Sequence, residues 1–262
     1  MKNFLSAILI FPLLFLFELS FSQTGIYSSD GILTVETPTS VDILNGYPSA
    51  SELDSNAISE YNKGTEIVYG LNKFKKEEHN KQLKVAIDHL IKSINYDASF
   101  VQAYDNLGKA YRMLGEIDLA IEVYKISIKI FPSGVSAIQN LAIAYSQKKE
   151  WDNSLSEYKK LIKLQPDSPE GYYGISGIYQ RTKQLDLALE NALIALKLYK
   201  NNPPNFIGDG YGQVGLIYYY MGDKENARKY IIKAKEKDYE NNFEEVFKAT
   251  YPQSLLNELN IK

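Results

Sequence analysis

The stretch Tyr104-Asp105-Asn106-Leu107-Gly108-Lys109-Ala110-Tyr111 recurs in outline twice more along the chain. Tyr111, Tyr145 and Tyr179 stand 34 residues apart, and Leu107, Leu141 and Ile175 keep the same interval four residues before each. A fixed period of that length marks one structural unit written repeatedly, in which each copy buries its apolar face against its neighbours. Apolar and small residues recur at three- and four-residue steps from Asn56 onward, which predicts helices.

The steps around each copy have a packing reason. Gly108, Ala142 and Ser176 are small where the first helix (A) of a unit approaches the second (B), and Ala120, Ser154 and Ala188 are small on the facing side. Pro132 and Pro166 remove a backbone donor and bias the preceding residue away from helix, so helix B stops on schedule. With Ala120, Tyr124, Ser127 and Pro132 following the opening stretch, the pattern resembles the tetratricopeptide repeat W-x2-L-G-x2-Y…A-x3-F…P, with Tyr104 in place of Trp and Tyr124 in place of Phe. Ile138, Leu141, Ala142, Tyr145, Ser154, Tyr158 and Pro166 match again, as do Tyr172, Ile175, Ser176, Tyr179, Ala188, Ala192 and Ala195. The resemblance implies an all-α fold, a right-handed α-solenoid (superhelix) of about five helix-turn-helix hairpins closed by C-terminal capping helices.

The expected repeats run over 56–100 with an insertion, 101–134, 135–168, 169–202 and 208–241, followed by capping helices over 242–262. In the first, about ten extra residues around Lys73–Lys81 lengthen the hairpin. Before the last, Tyr218 lies 39 residues after Tyr179, and the two prolines of Asn201–Phe206 predict a rigid connector. Phe243, Val246, Phe247, Leu255, Leu256 and Leu259 supply an apolar cover for the final hairpin.

Residues 1–22 read as a signal peptide: Lys2, an apolar stretch from Phe4 to Phe17 that is shorter than the ~20 residues of a membrane-spanning helix, and small residues at Ser20 and Ser22. The protein is therefore expected to be exported, to a periplasmic or extracellular (secreted) location, and to touch a membrane only if that segment stays uncleaved. Residues 23–55 form an acidic Ser/Thr/Pro-containing linker with Asp30, Glu36, Asp42, Glu52 and Asp54 and no Lys or Arg before Lys63, a composition that predicts extended or disordered chain.

Composition and motifs exclude several chemistries. There is no cysteine, hence no disulfide framework, thiolate metal site or cysteine nucleophile. The formal net charge of −3 does not attract phosphate backbones, so nucleic acid is not an expected partner. Of the two histidines, His89 reads as a partly buried helix residue and His79 as solvated, and neither has a second ligand at metal-binding spacing. Gly174-Ile175-Ser176-Gly177 lacks both the spacing and the preceding strand of a nucleophile elbow. No catalytic residue, metal or cofactor is expected.

The resemblance places ligand contacts on the concave face lined by the A helices. Mapped by the period, the partner-binding candidates are Gln102, Asp105, Asn106, Lys109 and Arg112, then Gln139 and Asn140, then Tyr173, Gln180 and Arg181, and finally Tyr219 and Tyr220. The lysine and arginine pattern of the family's carboxylate clamp is not reproduced at these places. The expected function is a noncatalytic adaptor or scaffold that binds a peptide segment or partner domain in the groove. The alternative is a small-ligand or glycan receptor that stacks its ligand on Tyr173, Tyr219 and Tyr220.

Overall fold

Among the described residues the α-helices, in chain order, are α1 Ser55–Tyr69, α2 His79–Tyr96, α3 Val101–Leu114, α4 Ile117–Ile130, α5 Val135–Gln147, α6 Trp151–Leu164, α7 Glu170–Arg181, α8 Leu185–Asn201, α9 Ile207–Tyr220, α10 Lys224–Glu240 and α11 Gln253–Glu258. The structure is a computed structural model, and it describes residues 53–201, 207–240, 247 and 250–261. The expected signal peptide, nearly all of the acidic linker, the connector prolines, Phe243 and Val246 lie outside the described residues. The described chain is all-α, with consecutive helices packed as pairs. It divides into two compact units, Met1–Ala144 and Tyr145–Lys262, with α5 running across the boundary.

In the first unit α1 pairs with α2 and α3 with α4. Helix α1 begins where the Asp54 side chain accepts hydrogen bonds from the backbone N–H of Asn56 at 2.8 Å and of Ala57 at 3.1 Å, satisfying donors that the first turn leaves open. The insertion after α1 forms two short 3-10 turns, Leu71–Lys73 and Lys76–Glu78. His79, expected to be solvated, is instead half-buried, because its Nε2 donates to the Phe74 carbonyl at 3.2 Å and fastens the insertion to the start of α2. His89 is half-buried as expected: its Nδ1 lies 2.6 Å from Glu60 on α1. Lys63 and then His89 hold the Glu60 carboxyl down to about 2.

Helices A and B approach closely because one side lacks a side chain. A Cβ at Gly108 of α3 would lie 2.5 Å from the Tyr124 ring of α4. At the corresponding place on α1, a Cβ at Gly64 would meet Leu90 at 2.8 Å. Leu90, Ala86, Ala120 and Tyr124 are fully buried on the facing helices.

In the second unit α7 pairs with α8 and α9 with α10. Ala188, Ala192, Ala195 and Leu196 of α8 pack with Val214 and Ile217 of α9, with Tyr172, Tyr179 and Tyr218 at the margin. Ala227, Ile231 and Ala234 of α10 are covered by Phe247, Tyr251, Leu256, Leu259 and Ile261. The C-terminal residues thereby close the last hairpin, as a stacked array requires.

The A-to-B turns repeat down to single bonds. The N–H groups of Glu116, Glu150, Gln184 and Asp223 donate to the carbonyls of Tyr111, Tyr145, Tyr179 and Tyr218, the periodic tyrosines. The residue before each donor has positive φ: Gly115 at 90°, Lys149 at 62°, Lys183 at 62° and Gly222 at 84°. This is the left-handed C-cap that closes a helix by a 6→1 hydrogen bond. Glycine meets the requirement at two turns and lysine, with its Cβ penalty, at the other two.

Replacing Gly108 by Ala is expected to lower stability by about 1–3 kcal/mol through overpacking against Tyr124. Urea unfolding of Gly108→Ala beside the exposed Lys125→Ala, whose change should stay within about 0.5 kcal/mol, checks this. Equal midpoints for the two variants would contradict the close-approach account.

Candidate functional site

The groove candidates separate by burial into braces and exposed groups. On α3, Gln102, Asp105 and Asn106, expected to contact a ligand, are 0%, 5% and 5% exposed. The Asn106 amide donates to Tyr61 Oη at 2.9 Å and Thr65 Oγ1 at 3.2 Å on α1, while Tyr69 Oη donates back to its Oδ1 at 3.4 Å. Asn106 thus ties one A helix to the preceding one. Asp105 accepts from Ser127 Oγ of α4 at 2.5 Å, with Ser136 also bonded to it. Burial pushes its carboxyl up to about 7 against the opposing effect of these two hydroxyls.

Lys109 and Arg112 lie half-buried on the same helix. The Lys109 ammonium sits 3.6 Å from the centroid of the Tyr69 ring, a cation–π contact. Burial and the neighbouring Arg112 pull Lys109 down to about 8. On α5, Gln139 and Asn140 are half-buried, and the Asn140 amide donates to the Ser136 carbonyl of its own helix at 3.0 Å.

In the second unit Tyr173, expected as an aromatic anchor, is half-buried and meets Tyr199 edge-on, with centroids 6.2 Å apart and planes at 83°. Its carbonyl accepts from Gln213 Nε2 at 3.3 Å, and the same nitrogen donates to Ser176 Oγ at 3.1 Å. Ser176 in turn donates to the Ala188 carbonyl at 2.7 Å, so its hydroxyl links helices rather than serving as a nucleophile. Gln213 of α9 repeats the role of Asn106: a buried amide on one A helix joined to the A helix before it. No motif marked Gln213 in the sequence, where it reads as one more polar residue beside Gly212.

Tyr219, the other expected anchor, is half-buried and donates its hydroxyl to Glu258 Oε2 of α11 at 2.7 Å. Glu258 also pairs with Lys224 at 2.8 Å. Tyr220 differs from the other aromatic candidates in remaining 60% exposed. A cleft of about 490 Å³ gathers Gln180, Arg181 and Tyr220, three of the expected residues, with Lys183 and Leu185. The last two were missed because they belong to the turn and the start of helix B, outside the A-helix face. The positive φ of Lys183 could have been suspected from its place in the period, four residues after Tyr179.

Among the described residues no cluster of His, Cys, Asp and Glu is arranged to hold a metal ion. None of the described helices is long and apolar enough to cross a membrane.

Tetratricopeptide repeat models match residues 101–133, 136–168 and 208–241. The chain is a tetratricopeptide repeat protein. No curated protein matches it. Among solved structures, this repeat protein is similar to a thermophilic tetratricopeptide protein of Thermus thermophilus, with 16% identity over 74% of this chain and 98% of that one and a TM-score of 0.58. MamA from Desulfovibrio magneticus RS-1 gives 16% identity, coverage of 72% and 98%, and a TM-score of 0.55. The APC/C hetero-tetramer Cut9–Hcn1 gives 16% identity, coverage of 78% and 38%, and a TM-score of 0.60. At such identities the likeness concerns the fold.

The raised Asp105 carboxyl has a pH consequence. Between the ordinary carboxylate value of 3.8 and about 7, the native state keeps a proton that the unfolded chain has released. The native state then binds more protons, so this group's contribution to stability falls as pH rises through that window and levels off above it. Asp105→Asn is expected to flatten the fall and to exceed the parent protein's stability at pH 8 by more than at pH 4. Urea unfolding at the two pH values checks this, and an unchanged difference would contradict it.

Proposed function

We propose that this protein is a noncatalytic exported adaptor that holds a peptide segment, or a segment of a partner domain, against its A helices. The tetratricopeptide fold is that of a protein-interaction scaffold, which is the broad class supported by the repeats themselves. Export is inferred from Lys2, the apolar run from Phe4 to Phe17 and the small residues Ser20 and Ser22, with a periplasmic or extracellular destination. The observation that carries the binding reading is the cleft of the second unit. It combines an exposed aromatic ring, Tyr220, with the cation Arg181 and the amide of Gln180, the mixture of aromatic and arginine side chains that dominates binding energy at protein interfaces.

The receptor alternative required Tyr173, Tyr219 and Tyr220 as shared stacking surfaces. Tyr173 packs at the margin of the α8–α9 core and Tyr219 at the margin of the α10 cover, which leaves Tyr220 as the exposed ring of the three. Peptide binding is therefore the favoured reading.

Purified residues 23–262 used as bait in an extract of exported proteins are expected to retain a partner that Arg181→Ala/Tyr220→Ala loses. Each truncation at an anchor should weaken capture by about tenfold or more. Equal recovery by the two baits, with helicity unchanged, would move the partner site away from this cleft.

A further inference from the structure

The cleft that supports the adaptor reading also carries information about the charge of its occupant. Its two cations, Arg181 and Lys183, have no carboxylate partner among the described residues, although other lysines of this unit do: Lys160 pairs with Glu157 and Lys224 with Glu258. Arg181 is not loose. Its Nη1 donates to the Gly177 carbonyl at 3.2 Å one turn back, and a Cβ at Gly177 would lie 3.2 Å from that nitrogen. The absence of a side chain at Gly177 lets the guanidinium lie along α7, where its other N–H groups bond no protein acceptor among the described residues. Guanidinium donors arranged in that way suit the two oxygens of a carboxylate.

Lys183 stands in the left-handed turn conformation, at φ 62°, where two sister turns have glycine. The chain thus keeps a cation on the rim of the cleft in a backbone state that disfavours any side chain. Tyr220 is also held in place while exposed. Its ring meets Tyr219 at 5.8 Å and 68°, and Tyr219 is tied by its hydroxyl to Glu258. Glu258 is engaged by Lys224, so the C-terminal helix braces the aromatic wall and leaves Arg181 and Lys183 uncompensated. Asp186, the acidic residue nearest in sequence, lies in the first turn of α8, where the helix N-terminus already favours a negative charge.

Resting on the adaptor reading, we propose that this cleft receives an acidic segment of a partner protein. A carboxylate pairs with Arg181 and Lys183, and a neighbouring apolar side chain covers Leu185 and the face of Tyr220. The overall charge of −3 does not oppose this, because pairing inside a cleft is set by groups within a Debye length of about 8–10 Å.

The test uses the purified whole chain and three fluorescein-labelled peptide pools of equal length, built from Leu, Ser and Gly with either Glu, Gln or Lys at the remaining places. Fluorescence anisotropy should show the Glu pool binding about tenfold or more tightly than the Gln pool, the difference expected for one desolvated charge-assisted pair. It should weaken with added salt. Arg181→Gln and Lys183→Gly should each remove most of that preference. Lys183→Gly relieves the left-handed turn, so its Tm should be no lower than the parent's, which separates lost binding from lost folding. Lys125→Gln, at an exposed lysine of the other unit, should bind the Glu pool as the parent does.

Equal binding of the Glu and Gln pools, or preference for the Lys pool, would overturn the acidic occupant while leaving peptide capture intact. Unchanged Glu-pool preference in both Arg181→Gln and Lys183→Gly, or its loss in Lys125→Gln, would overturn the location. Binding of no pool would overturn the proposal, and the adaptor reading would then be judged separately by whether the Arg181→Ala/Tyr220→Ala bait still captures its partner.

Discussion

Close approach of paired helices, made possible where one residue lacks a side chain and its neighbour offers a ring or branched chain, is the constraint on which the rest of this structure depends. Within their pairs Gly108 receives the ring of Tyr124 and Gly215 the side chain of Ile231, and Gly174 receives the ring of Tyr158 from the helix that precedes its own pair, each at a separation that a methyl group would violate. Such contacts bring buried apolar surface together at near-crystalline density, the main stabilising term in a fold without disulfides. They also set how neighbouring helices lie, and hence which polar groups on the A helices meet one another.

Those meetings explain why several polar A-helix residues are internal. An amide buried between hairpins must find partners or lose its hydration without return. Asn106 finds Tyr61 and Thr65, and Gln213 finds Ser176 and the Tyr173 carbonyl. These bonds join successive A helices inside each unit, so the groove face is partly a structural seam. Asp105, bonded to Ser127 and Ser136, completes the seam in the first unit with a carboxyl that burial favours in its protonated form.

Exposed chemistry is displaced toward the ends of the A helices and the turns that follow them. The 6→1 bond from each turn to its periodic tyrosine carbonyl fixes the turn conformation, and the left-handed residue before the donor projects at the edge of the unit. In the second unit that edge is where Arg181, Lys183 and Tyr220 border the cleft. The C-terminal residues have two effects there: Phe247, Tyr251 and Leu256 cover α10, and Glu258 orients the tyrosine next to the exposed one.

The period of Tyr111, Tyr145 and Tyr179, with small residues at Gly108, Ala142 and Ser176, was enough to establish helical hairpins of the tetratricopeptide class, because stacking units of one length is the way such a pattern can bury its apolar stripe. It also located Gln180, Arg181 and Tyr220 among the candidate contacts, since the period assigns every residue to a helix and a face. It could not tell Asn106 from an exposed asparagine, nor Tyr173 and Tyr219 from the exposed Tyr220. Whether a polar or aromatic side chain is a brace or a contact depends on what the neighbouring hairpin and the C-terminal segment place against it. That is decided by residues distant in the chain, Tyr61 for Asn106, Tyr199 for Tyr173 and Glu258 for Tyr219, whose proximity arises from helix packing in three dimensions.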